Sequence, residues 1–189
     1  MSEHFHAHGP HDHEAEHAAH SGDPLAARVA VLTAILATIG AIFGYMAGAT
    51  QNDALVYKNE AAIRKTEASD QWNFYQAKSS KQNLAELGAA LATGEPQARY
   101  AKEVERYKKE KDEIMPEAKK LEAESKAAEE RSEAAMHTHH RWAQAMTLIQ
   151  IAIALAAITI LTRQKAMGIA AVAVAIVSVA LGAMAAAHL

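Results

Sequence analysis

The chain of 189 residues has no cysteine, which removes a disulfide framework, a thiolate metal centre and a cysteine nucleophile together. Aromatic residues make up 5% of it and prolines number only 4, so a sheet-rich fold with many turns has little to draw on. The 19 Lys and Arg are interleaved with 22 Asp and Glu, and no basic patch of the kind that binds nucleic acid stands out. Also missing are a nucleophile elbow, a phosphate-binding glycine loop, a dinucleotide fingerprint and an HExxH zinc motif. These absences lead to the expectation of a non-enzymatic protein with no cofactor.

What the chain does have is long apolar blocks set against one long charged block. Residues 24–50, 142–161 and 166–187 each have the length and composition of a transmembrane helix. Between the first and the second lies residues 51–141, rich in Glu, Lys and Ala, with a Gly-Pro turn signal near 93–96. The predicted fold class is therefore all-α: three transmembrane helices, with a long extramembrane antiparallel helical hairpin, coiled-coil-like, between the first and second. The arms Gln51 to Ala92 and Gln97 to Arg141 are nearly equal in length, as a hairpin that returns to its starting level requires. At about 1.5 Å per residue each would run roughly 60 Å.

Within the hairpin, steps of seven give Val56, Ile63, Asp70, Ala77, Leu84 and Leu91 as the seam of the outgoing arm. On the return arm they give Tyr100, Tyr107, Ile114, Leu121, Ala128, Ala135 and Trp142, with Val104, Lys111, Ala118, Ser125, Ser132 and His139 as the alternating set. Folding at the turn places Asp70 opposite Lys119 to Leu121, where it reads as a structural ion pair or a register-setting polar residue. Pro116 predicts a kink, or a break at Met115.

In the first span, Gly40, Gly44 and Gly48 recur every four residues and predict a close helix-packing face, within the bundle or between subunits. Gln150, midway along the second span, is expected to turn inward as helix glue towards a neighbour such as Thr38. The loop Thr162-Arg163-Gln164-Lys165 is short, so the last two spans form a membrane hairpin. Its two cations favour the cytoplasmic side for that loop and the N-terminal tail, with the charged hairpin periplasmic.

The tail, residues 1–23, has His4, His6, His8, His11, His13, His17 and His20 beside five carboxylates and no Lys or Arg. It lacks the apolar stretch of a signal peptide, and its composition is that of a disordered segment. Neutral imidazoles next to carboxylates are suited to weak capture of Zn, Ni or Cu, or to a change of charge between pH 5 and 8. A second cluster, His137, His139 and His140 just before Trp142, reads as interfacial residues rather than a ligand set.

The stretch Ala68-Ser69-Asp70-Gln71-Trp72-Asn73-Phe74-Tyr75-Gln76-Ala77-Lys78-Ser79-Ser80-Lys81 carries a resemblance. It is similar to an Ala-Ser-Asp-Gln-Trp-x-x-Tyr-Gln-Ala-Lys-Ser segment of a bacterial membrane-protein family described as a domain of unknown function, number four-three-three-seven. The run Thr147 to Leu155, closing in Leu161-Thr162-Arg163, resembles that family's second span. Asn73-Phe74 stands where members often have Ala-Tyr, and Arg28 alone represents the basic residues before the first span. The resemblance implies a bacterial inner-membrane protein with three helices and no assigned activity, and it transfers no catalytic residue. Asp70, Gln71, Trp72, Tyr75, Gln76 and Lys78 thus form a candidate surface, serving either hairpin packing or a partner.

The leading expectation is a structural or protein-interaction role, scaffold or accessory, exercised through the hairpin and homo-oligomeric packing. The expected partners are lipid and either further copies or another membrane protein. The alternative is a metal-binding or pH-responsive accessory to a transport system, working through the histidine-rich tail.

Overall fold

The computed structural model describes residues 24–187, and in it nearly all of them are helical. Pro24 opens the first helix, where its missing N–H leaves no bond unmade. With no breaker to stop it, this helix, α1, spans Pro24–Leu91. A three-residue turn follows, with Gly94 at φ +71°, a left-handed conformation that glycine adopts without Cβ strain. α2 then spans Glu95–Thr162 and α3 spans Lys165–Ala186. Glu95 and Pro96, expected in the turn, instead form the first turn of α2, where a carboxylate suits the helix dipole and Pro suits the unpaired N–H.

The break at Met115 that the sequence allowed does not occur: α2 continues as helix through Pro116. Pro116 and Asp112 both lie on the exposed face, so the Asp112 carbonyl deprived of its helix donor is open to water.

Three helices are long and apolar enough to cross a membrane, one window in each of α1, α2 and α3. The chain divides into two compact units, one of residues 24–52 and 135–187 and the other Asp53–Ala134.

In the first unit α1, α2 and α3 pack through small residues. α3 buries Ala171, Ala175, Ser178, Gly182 and Ala185, spaced alternately by four and three. Leu36, Ile149, Ala152, Ile153 and Ala175 make one core cluster. Phe43, Ala47, Trp142, Ala145 and Ala185 make a second, with the Phe43 and Trp142 rings 5.5 Å apart. Other large apolar side chains point outwards, among them Ile35, Ile42, Ile151, Ile169 and Ile176. α3 in particular turns small residues inward and large apolar ones outward, a pattern that suits a helix facing lipid, where close backbone approach contributes to helix packing.

In the second unit α1 and α2 run antiparallel in contact. The return-arm seam lies where the sequence places it: Val104, Ala118, Leu121, Ala128 and Ser132 are buried and Tyr100, Tyr107, Lys111, Ile114 and Ser125 half-buried. The outgoing seam does not. Ala54, Ala61, Ala68 and Ala85 are the buried positions, while Val56, Ile63, Leu84 and Leu91 are 54% to 79% exposed. Alanine wins the inner position because a methyl group lets the two backbones approach, which a row of Val, Ile and Leu would hold apart.

Candidate interaction surface

The close approach is fixed by hydroxyl groups. Ser132 Oγ donates to the carbonyl oxygen of Ala54 at 2.8 Å, and Ser125 Oγ donates to that of Ala61 at 2.9 Å. One step of seven along α1 is matched by one step of seven back along α2, and Ala68 and Ala118 continue the row, both buried. Each carbonyl already accepts its own helix N–H, so the serine adds a second bond to a spare lone pair. In the first unit Ser178 Oγ does the same to the Ala145 carbonyl at 2.7 Å, and His139 Nδ1 lies 2.8 Å from the Ala47 carbonyl oxygen. A bond there requires the proton on Nδ1, which leaves Nε2 as the acceptor in the neutral ring.

Beyond Ala68 polar and aromatic side chains join the contact between the arms. Trp72 Nε1 donates to Glu122 at 3.0 Å, and the Trp72 and Tyr75 rings meet edge to face at 5.6 Å. Lys111 lies 5.2 Å over the Tyr75 ring, and Lys78 sits 2.5 Å from Glu110 and 5.9 Å over the Tyr107 ring. The hydrogen bond from Lys78, opposed by some desolvation, lowers the Glu110 pKa below its ordinary carboxylate range. Arg64 is held above its usual value chiefly by its hydrogen bond to Glu67, and it also reaches Glu124 at 3.3 Å. Lys58 with Glu129, and Arg131 with Glu60, complete a set of exposed cross-arm ion pairs.

The candidate surface therefore divides between two faces of α1. Trp72, Tyr75 and Lys78 are half-buried against α2, and Gln71 is half-buried beside them. Asp70 and Gln76 are exposed, as are Asn73 and Phe74, the latter at 61%. Asp70 has no ion pair among the described residues, which corrects its placement opposite Lys119 to Leu121: it belongs to the outward row with Val56, Ile63 and Ala77. A shallow groove runs between the arms beside Trp72, lined by Asn59, Lys65, Ser69, Gln76, Lys126 and Glu129.

The glycines also divide. A Cβ on Gly40 would stand 2.8 Å from Ile149 Cγ2, and one on Gly44 3.3 Å from Met146 Sδ, so these two glycines admit α2 within the same chain. Gly48 is exposed with nothing within 4 Å. Gly182 and Gly88, which periodicity did not single out, are as crowded: their Cβ atoms would meet the Phe43 ring at 2.6 Å and the Tyr100 ring at 3.0 Å. Gln150 is corrected outright. It is exposed, its neighbour Ile149 fills the interior, and Thr38 bonds to its own Ala34 carbonyl at 3.0 Å.

The seven histidines of the tail, His4 to His20, lie outside the described residues. Among the described residues no group of three His, Asp or Glu side chains is placed to hold a metal ion. His137 and His140 are exposed, and the His139 and His140 rings are 5.5 Å apart.

One feature was invisible to periodicity. In Asp53–Ala134 the outgoing arm exposes Leu55, Val56, Ile63 and Phe74, and then Leu84, Leu87 and Leu91 towards the turn. Over residues 95–134 of the return arm no large apolar side chain is exposed. Four of the seven, Val56, Ile63, Leu84 and Leu91, belong to the row that periodicity assigns to the inner seam.

No curated protein and no solved structure matches the chain. A family model does, across residues 25–188, and it covers all three helices. The chain belongs to the family described as domain of unknown function DUF4337.

Proposed function

We propose that this protein is a non-enzymatic membrane scaffold or accessory, anchored by three transmembrane helices and acting through the surface of its helical hairpin on further copies or on a membrane-protein partner. The observation that carries this reading is the one-sided surface of the hairpin. Between residues 53 and 91 α1 leaves seven large apolar side chains exposed, while over residues 95–134 the facing arm exposes none. Apolar surface kept in water along one face of an otherwise charged element is the mark of an interaction site. The interior of the hairpin is closed by alanines and serine-to-carbonyl bonds, so the outer faces are what it can offer a partner. A bacterial inner membrane, with the Arg163 and Lys165 loop cytoplasmic and the hairpin periplasmic, is the location we assign.

The test is cross-linking of the full chain in its native membrane, compared with a chain lacking residues 1–22. The same higher-mass species in both supports a scaffold working through the hairpin. Loss of those species with the tail, or their restoration by added Zn, Ni or Cu, would contradict it and favour the metal-linked reading.

A further inference from the structure

We infer that the occupant of the exposed α1 face is the same face of a second copy, lying side by side and parallel, with Val56, Ile63, Asp70, Ala77, Leu84 and Leu91 meeting their equivalents. This rests on the scaffold reading and names its partner.

The first argument is geometric. The buried positions Ala54, Ala61 and Ala68 repeat every seven residues along the contact with α2. Any other set on α1 with the same step keeps a constant bearing to that contact, so the row from Val56 to Leu91 does not wind round the helix. It stays on the outer side of the hairpin along its whole length, as a second helix requires.

The second is area: Val56, Ile63, Leu84 and Leu91, at 54% to 79% exposed, leave roughly 100 Å² each in water, or about 400 Å² for the four, about half of the roughly 800 Å² per partner of a standard interface. Confinement of both copies to one bilayer raises their effective concentration, so an interface of this size suffices.

The third is symmetry. An isologous contact needs a single patch that complements itself, and a row of evenly stepped apolar residues is its own complement. Two copies anchored in one bilayer by the same spans run in the same direction, so like meets like. Asp70 then faces Asp70 at the middle of the row. This carboxylate is the one position opposing the pairing, and it keeps the association weaker than an unbroken apolar row would.

The absence of cysteine makes the test clean. Ile63→Cys, Leu84→Cys and Leu91→Cys, each alone in the full chain, are oxidised in native membranes beside Lys109→Cys on the exposed return arm. All four sites are exposed, so folding is not at risk. A disulfide needs Cα atoms within about 7 Å. The expected result is a strong covalent dimer at each of the three stripe positions and little at Lys109→Cys. Adding Asp70→Leu should raise the cross-linked fraction severalfold, and Leu84→Glu should lower it severalfold at Ile63→Cys. A homo-oligomer that persists without cross-links on the stripe overturns this inference and leaves the scaffold standing. Cross-links only when Ile63→Cys and Leu84→Cys are mixed overturn the parallel arrangement. A monomeric chain without a partner overturns both.

Discussion

Ser132 and Ala54 are joined across the hairpin by a 2.8 Å bond from the serine hydroxyl to the alanine carbonyl oxygen, and both residues are buried. The bond exists because the alanine is small enough to bring its own backbone within reach. The pair therefore predicts an asymmetry. Ser132→Ala removes one bond but leaves the Ala54 carbonyl paired in its helix, and should cost about 1 kcal/mol. Ala54→Leu pushes the arms apart and should cost more, about 1–3 kcal/mol or above. Thermal unfolding followed by circular dichroism in detergent checks the order, and equal effects would show that close approach is not what the seam selects.

The glycines give a sharper contrast. Gly40→Ala and Gly182→Ala place a methyl group 2.8 Å from a branch of Ile149 and 2.6 Å from the Phe43 ring, each in a buried site. Each should destabilise by about 1–3 kcal/mol. Gly48→Ala meets nothing and should stabilise by about 0.5–1 kcal/mol through the reduced freedom of the unfolded chain. The same melting experiment reads all three.

The pair of Lys78 and Glu110 predicts a pH dependence. Its hydrogen bond holds the Glu110 pKa below the ordinary value of 4.5. A carboxylate depressed in the folded state contributes stability that is fully present above its unfolded value and is lost as the pH falls through its folded one. Wild type should lose melting temperature more steeply on acidification than Glu110→Gln, and the two curves should converge at low pH. Parallel curves throughout would show that the bond contributes nothing to folding.

Much of this architecture was legible in the sequence because large contrasts mark it. Three apolar blocks, one charged block and a single Gly-Pro signal are enough to set out the helices and the turn. The return seam was legible too, because Tyr100, Tyr107, Ile114, Leu121 and Trp142 stand out from a background of Glu and Lys. The outgoing seam was misread for the opposite reason. Periodicity favours the bulkiest apolar row, Val56 to Leu91, whereas this packing favours Ala54, Ala61 and Ala68, whose methyl groups barely differ in hydropathy from their neighbours. Gln150 followed a rule about the cost of a polar group in lipid, but the single residue step between it and Ile149 decided which of them turned inward. Gly182 and Gly88 were missed because their partners, Phe43 and Tyr100, are brought to them only by tertiary contact.

The most direct test of the scaffold account is the native mass of the full chain, purified in mild detergent without added metal and without an affinity tag near the tail. The account predicts a defined assembly of more than one copy, or one bound to a constant protein partner. A lone monomer carrying stoichiometric Zn, Ni or Cu would contradict it and transfer the function to the histidine-rich tail.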